Sequence, residues 1–377
     1  MRSCCRRNLL CAIDDDIVKS PYAALRFILR HCDVRTSTPH SSGFARLASG
    51  AFYFVVSMMT FCEFINFPEL RDGGKRMVVL TRPVAWSFPA SEAPRSGAEV
   101  ENLSPKGYNM LEIKEYEDVI QIRMSREWEG KALYWVAAYL VDGLLVDTGC
   151  AHTAAELVEF LAGKKLAMVV NTHFHEDHVG GNARIEKYFS VPVYAAPASI
   201  SIIAGKPFLY PYQEFVWGRP EPSPVLPVPA VITTPLYTFE VMATPGHADG
   251  HVALLEKNRG WCFSGDIFAR QKPKFIRPEE DMGETIRSLE RIMAAAPDKL
   301  VLFTSVGRTV ENGRAALEEN IRYLRDLARK ARTLQQQGHS ETEIVVELFG
   351  GEHLFAQMTD GQYTTANLIR SVLKMSH

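Results

Sequence analysis

Three imidazoles and two carboxylates stand within six residues, His173-Phe174-His175-Glu176-Asp177-His178. Histidine nitrogen and carboxylate oxygen are donors that zinc takes at ~2.0–2.2 Å, and a catalytic zinc keeps one position open for water. His173 and His175 alternate, so a tight loop can aim both at one ion. Asp177 and His178 point elsewhere, to hold a second ion or to orient the water. The run follows the apolar stretch LAMVVN, which puts it on a strand-end loop, where functional groups are commonly displayed. With only 11 histidines in 377 residues, such a cluster stands well above background.

The elements that must carry this loop read as α/β. VIQIRMS and ALYWVAAYLV have strand patterns, and GLLVDTG ends a third strand in a turn. AHTAAELVEFLAG is an amphipathic helix stopped by Gly163. Further strands are expected at VPVYAA, FEVMAT, HVALLE, WCFSGD and KLVLFTS, with a late helix at ETIRSLERIMAAA. The run Arg219 to Pro235 holds six prolines, which deny it regular hydrogen bonding, so it reads as a loop or lid. Beyond residue 311 the pattern turns helical, with a capping box at Ser340 and Glu343. Three sections follow: an extension over 1–105, an α/β body over 106–310, and a helical cap over 311–377.

Residues 1–105 show no sustained period and read as a poorly structured extension or a wrongly assigned start, with Met77 as an alternative start. Within them the uncharged run Leu47 to Cys62 is shorter than the ~20 residues a bilayer span needs. A membrane anchor around residues 47–65 is the competing reading, and stable insertion is not expected. Composition is ordinary for a packed domain, at 46% hydrophobic and 23% charged. A net charge of −2 gives no general attraction for nucleic acid or anionic lipid. The basic residues Arg322, Arg325, Arg329, Lys330 and Arg332 are interleaved with Glu318, Glu319 and Asp326, as on a solvated helix face. Five of the seven cysteines fall in the first 62 residues, and no CxxC pair has a matching partner, so neither a cysteine zinc finger nor a disulfide scaffold is expected. The body therefore suits a reducing compartment, and a cytoplasmic location is expected.

HxHxDH after a strand resembles the signature of the metallo-β-lactamase superfamily, and residues 107–310 agree with it in order along the chain. The resemblance implies a four-layer αββα sandwich with a C-terminal helical extension. Asp147 in LLVDTG is similar to the family's buried carboxylate that braces the metal site. His247 in ATPGHADGH resembles the third ligand of the first metal, and Asp266 in WCFSGD the carboxylate shared by two metals. His251 is read as structural. One mark fails: where the family carries a late-turn histidine, this chain has KLVLFTSVGRTV, with Val306 at that place. Neither valine nor the nearby Arg308 can bind zinc, and His339 and His353 lie in the helical cap. The implied first site is His173, His175 and His247 with Asp266. The second keeps Asp177, His178 and Asp266 and lacks one neutral ligand, so one tight zinc and one weak or absent ion are expected.

The resemblance implies a hydrolase in which a metal-bound hydroxide attacks a small ester- or thioester-like substrate, with Asp177 orienting the nucleophile or passing its proton on. Tyr210, Tyr212, Phe215 and Trp217 are candidates for the pocket wall. Two other classes compete. A mononuclear iron dioxygenase of the same superfamily suits two histidines and one carboxylate with open positions. A non-catalytic metal-binding protein is suggested only by Val306.

Overall fold

The computed structural model describes residues 110–375, together with the strands Arg71–Asp72 and Lys75–Arg76. The chain divides into two compact units, Met1–Arg82 and Pro83–His377. In the first, Arg71–Asp72 and Lys75–Arg76 form a small antiparallel ladder. The other expectations for residues 1–105, including the apolar run and the start at Met77, lie outside the described residues.

In the second unit, period-two alternation decides which sheet face each strand side chain enters. Along Val136–Val141, Ala137, Tyr139 and Val141 join one cluster, while Val136, Ala138 and Leu140 join another. The same split recurs at Val252–Glu256, where Val252 and Leu254 face one way and Ala253 and Leu255 the other. Strands buried on both faces need cover on both, which dictates layers.

Two mixed sheets supply the inner layers. The first runs, in spatial order, Leu226–Pro227, Val193–Ala195, Met168–Val170, Leu144–Val146, Val136–Val141, Val119–Ser125 and Met110–Tyr116. The second runs Val231–Thr233, Thr238–Ala243, Val252–Glu256, Trp261–Gly265, Val301–Thr304 and Thr309–Val310. Tyr139, Val146 and Val170 from one meet Phe239, Trp261, Phe263 and Phe303 from the other. Within the second sheet Phe263 and Phe303 stack at 4.9 Å, and the Tyr139 hydroxyl of the first donates to the Thr304 carbonyl at 2.6 Å, tying the sheets together.

Helices cover both outer faces. Ala154–Leu161 and Asn182–Phe189 place Leu157, Leu161 and Ile185 on the first sheet. Met282–Ala295, Gly313–Gln336, Glu341–Phe349 and Thr365–Lys374 cover the second sheet, with Leu289, Leu317, Leu324, Ile344 and Leu368 in one shared core. The αββα sandwich is therefore the architecture of this unit, and the C-terminal helices share its outer core. The capping box is formed, with the Ser340 hydroxyl accepting from Glu343 N and the Glu343 side chain accepting from Ser340 N.

The proline-rich run differs from the expected loop. It carries two edge strands, Leu226–Pro227 on the first sheet and Val231–Thr233 on the second, and so links the two sheets. Edge positions tolerate prolines because one side of the strand has no ladder to donate to. Among the described residues, no helix is long and apolar enough to cross a membrane.

Candidate metal centre

The strand Met168–Val170 ends at the histidine run, and a buried polar frame fixes the loop from below. Asp147 sits at φ 60°, a left-handed conformation that an aspartate tolerates better than most side chains. From there its carboxylate accepts Thr172 N at 2.7 Å and the Thr172 hydroxyl at 2.8 Å, and lies 2.8 Å from His178 Nδ1. Thr148, Asn171 and Asn182 form a second frame, in which the Thr148 hydroxyl donates to the His178 carbonyl and Asn182 Nδ2 donates to Asn171 Oδ1. Gly180 closes the loop against the chain at 149–151: a Cβ there would lie 2.2 Å from Ala151 N and 2.3 Å from the Cys150 carbonyl carbon.

Three imidazoles converge above this frame. His175 Nδ1 lies 2.9 Å from His173 Nε2 and 3.0 Å from His247 Nε2, and all three residues are buried. Burial, reinforced by the neighbouring imidazoles, holds His173 well below the ordinary histidine range. Burial and Arg277 do the same to His175. Both rings are thus neutral at pH 7, the form that ligates a cation.

A second group shares a member with the first. His173, His178 and Asp266 also offer donor atoms within 4.8 Å of one another, as do His173, His175 and His247. Asp266 bridges the two groups, with Oδ2 3.3 Å from His247 Nε2 and Oδ1 3.5 Å from His178 Nε2. Burial alone would raise its pKa, but His247 and His178 beside it hold the carboxyl well below the usual range. Asp177 stands outside both groups, its carboxylate 3.8 Å from His178 Nε2. Of the expected second set of Asp177, His178 and Asp266, His178 and Asp266 stand together with His173 nearby, and Asp177 lies 3.8 Å from His178 Nε2.

Both groups fit a divalent ion. His178 Nε2 is buried without a hydrogen-bond partner while its Nδ1 is held by Asp147. A buried polar nitrogen left unmatched is costly, and a cation among these donors satisfies it. His251 plays a different part. Its Nε2 accepts Asp266 N at 3.1 Å, so its Nδ1 carries the proton, facing the Thr244 hydroxyl at 2.8 Å. It braces the backbone of Asp266 and has no nitrogen left for a metal. Gly265, at φ 50°, permits that closeness, since a Cβ there would lie 2.6 Å from His251 Nε2.

Several participants lie beyond the sequence motif. The Glu280 carboxylate lies 3.1 Å from His247 Nδ1 and accepts Arg277 N at 2.8 Å. The Arg277 guanidinium is buried, paired with Glu176 at 3.2 Å, and donates to the Tyr363 hydroxyl at 2.8 Å. In the turn after Val301–Thr304, the buried Ser305, one position before Val306, contributes to holding the Asp266 carboxyl below its usual range. Of the aromatic candidates, Tyr210 and Tyr212 line a cleft that opens on His175. Phe215 instead packs against Trp128, and the buried Trp217 against Tyr134. His339 and His353 belong to neither donor group.

Known proteins resemble the chain in the same region. A family model described as the metallo-beta-lactamase superfamily matches residues 136–304. The probable metallo-hydrolase YybB of Bacillus subtilis is 30% identical over 152 residues, 39% of this chain and 68% of that protein. A hydroxyacylglutathione hydrolase of Bdellovibrio bacteriovorus is 31% identical over 162 residues, 42% of this chain and 56% of that protein. Among solved structures, a beta-lactamase domain protein from Burkholderia ambifaria aligns with a TM-score of 0.52, covering 73% of this chain and 91% of that one at 18% identity. That likeness concerns the fold.

Proposed function

The chain belongs to the metallo-β-lactamase superfamily, and within it we propose a zinc-dependent hydrolase acting on a small ester or thioester. The observation that carries the reading is the pair of donor groups hinged on His173, beside a cleft that His175 helps to line. His173, His175 and His247 would hold one ion, and His178 with Asp266 would hold or share a second.

An ion bound there supplies Lewis acidity to the scissile oxygen and lowers the pKa of water from 15.7 towards ~7. The protein's own groups do the positioning. Asp147 fixes the ring of His178 through Nδ1, and Glu280 fixes that of His247 in the same way. A carboxylate on the far nitrogen sets both tautomer and ring orientation, so the near nitrogen keeps its lone pair for the ion. Asp177, 3.8 Å from His178 Nε2 and partly exposed, would take a proton from the attacking water and return it to the leaving atom. An ester or thioester leaving group needs only that one transfer. The similarity to a hydroxyacylglutathione hydrolase supports the same class of bond.

The test is metal analysis of the purified full chain combined with turnover of thioesters, lactones and phosphodiesters. Expected are zinc, thioester cleavage lost on chelation, and recovery on zinc addition. Bound iron with oxygen uptake would replace this reading by the dioxygenase. Tight metal without turnover of any substrate would leave a binding protein.

A further inference from the structure

Beside His175 lies a cleft of about 180 Å³ that the motif residues do not explain. Its walls are largely apolar, formed by Phe174, Ile202, Phe208, Leu209 and Tyr212. Phe208 stands at the mouth, 77% exposed, more than any other large hydrophobic among the described residues. Its ring lies edge-on to Tyr210 at 5.0 Å. An apolar side chain held in water at the lip of an apolar cleft gains by covering a ligand of its own kind.

The charged groups at the inner end are already matched. Glu176 Oε1 accepts Gln213 Nε2 at 2.8 Å and Arg277 Nη2 at 3.2 Å, while Arg277 Nε donates to Tyr363. Glu279 adds a second carboxylate, 4.0 Å from Arg277 Nη1. One guanidinium thus faces two carboxylates, so the inner wall of the cleft itself offers no net positive charge to an anionic group. Arg277 Nε and Nη2 are engaged by the inner wall, and Nη1 lies 4.0 Å from Glu279.

Size narrows the occupant further. An apolar cavity of about 150 Å³ takes a benzene molecule, so this cleft suits one phenyl ring or an aliphatic chain of similar bulk. Because His175 both lines the cleft and belongs to the first donor group, a group seated here is joined to whatever carbonyl meets the ion. The geometry points to an acyl-side specificity pocket for an uncharged, apolar or aromatic group, an inference that rests on the hydrolase reading for its substrate but not for its binding.

The experiment separates the two. Binding of phenylacetamide, acetamide and 4-carboxyphenylacetamide to the metal-loaded full chain is measured by calorimetry. Each buried methylene brings roughly three- to fourfold in affinity, so phenylacetamide is expected to bind at least tenfold more tightly than acetamide. The added carboxylate is expected to remove that gain. Ile202→Trp, which fills the cleft from a half-buried position, should weaken phenylacetamide at least tenfold, and Phe208→Ala, at an exposed site that does not endanger folding, several-fold. In parallel, kcat/KM for S-phenylacetyl and S-acetyl esters of one thiol should differ at least tenfold, with the ratio collapsing in Ile202→Trp. Equal affinity for phenylacetamide and acetamide, or tighter binding of the carboxylate, overturns the pocket. The expected binding pattern with neither thioester cleaved leaves the pocket standing and overturns the hydrolase.

Discussion

Glu280 lies 3.1 Å from Nδ1 of His247, and its other oxygen accepts the backbone N–H of Arg277, so the carboxylate is pinned between the loop and the imidazole it orients. The loop is itself held by the last helix, since the Ser371 hydroxyl donates to the Glu280 carbonyl at 3.1 Å and accepts Met282 N at 2.9 Å. A carboxylate of this kind fixes ring orientation, and its removal typically costs 10–100-fold in metal affinity. Glu280→Ala should therefore weaken zinc by about that factor in a chelator competition titration, with Glu280→Gln in between because its amide oxygen still accepts from Nδ1. Unchanged affinity in Glu280→Ala would make the contact incidental.

His173 belongs to both donor groups, whereas His175 and His247 belong to one and His178 to the other. Substituting His173 should then strip metal most completely. His173→Ala is expected to hold much less than one zinc per chain by mass spectrometry of the metal, while His178→Ala keeps about one. If both variants retain equal metal, the sharing of His173 has no consequence for binding.

Much of this was readable in advance, and what escaped has identifiable causes. The alternation along Val136–Val141 and Val252–Glu256 announces strands because both sheet faces are covered, so period-two sorting leaves an apolar run of strand length. The strand Met110–Tyr116 lies at a sheet edge with mostly exposed side chains, which removes the apolar signal. The helices Pro197–Ile203 and Pro211–Val216 begin with proline at their first position, where it is tolerated, although proline in a sequence first suggests a break. In Asn182–Phe189 only Asn182 and Ile185 are buried, too thin a stripe to read. At the site, His173 to His178 declare themselves by spacing. Glu280 and Arg277 do not, because their partners lie 33 and 101 residues away, and only the folded loop joins them.

Ser305, one position before Val306 in the late turn, also faces the Asp266 carboxylate and helps hold it ionised. An imidazole at 305 should add a neutral donor near His178 and Asp266, and each ligand added to a formed site contributes binding free energy. Ser305→His is expected to raise zinc per chain by up to one at saturating metal, and Val306→His to leave it unchanged. The reverse outcome, with the melting temperature preserved in both, would make Val306 the position facing the site.

The pair of Arg277 and Glu176 tests how the inner wall of the cleft is held. Both side chains are almost fully buried, at 6% and 3% exposure, and their nitrogen and oxygen lie 3.2 Å apart. Removing one member of such a pair typically costs about 3–5 kcal/mol, whereas replacing both with apolar groups of similar volume is often neutral or stabilising; here Glu279, half-exposed and 4.0 Å from Arg277 Nη1, offsets part of the charge that Glu176 would leave. Glu176→Leu alone should lower the unfolding free energy by up to that amount in a denaturant titration. Tyr363 cannot take over the compensation, because burial keeps its hydroxyl protonated and thus uncharged. Glu176→Leu with Arg277→Met should recover most of the loss, giving a large coupling between the two sites. Additive losses would mean that Glu279 and the surrounding loop, and not Glu176, compensate the guanidinium.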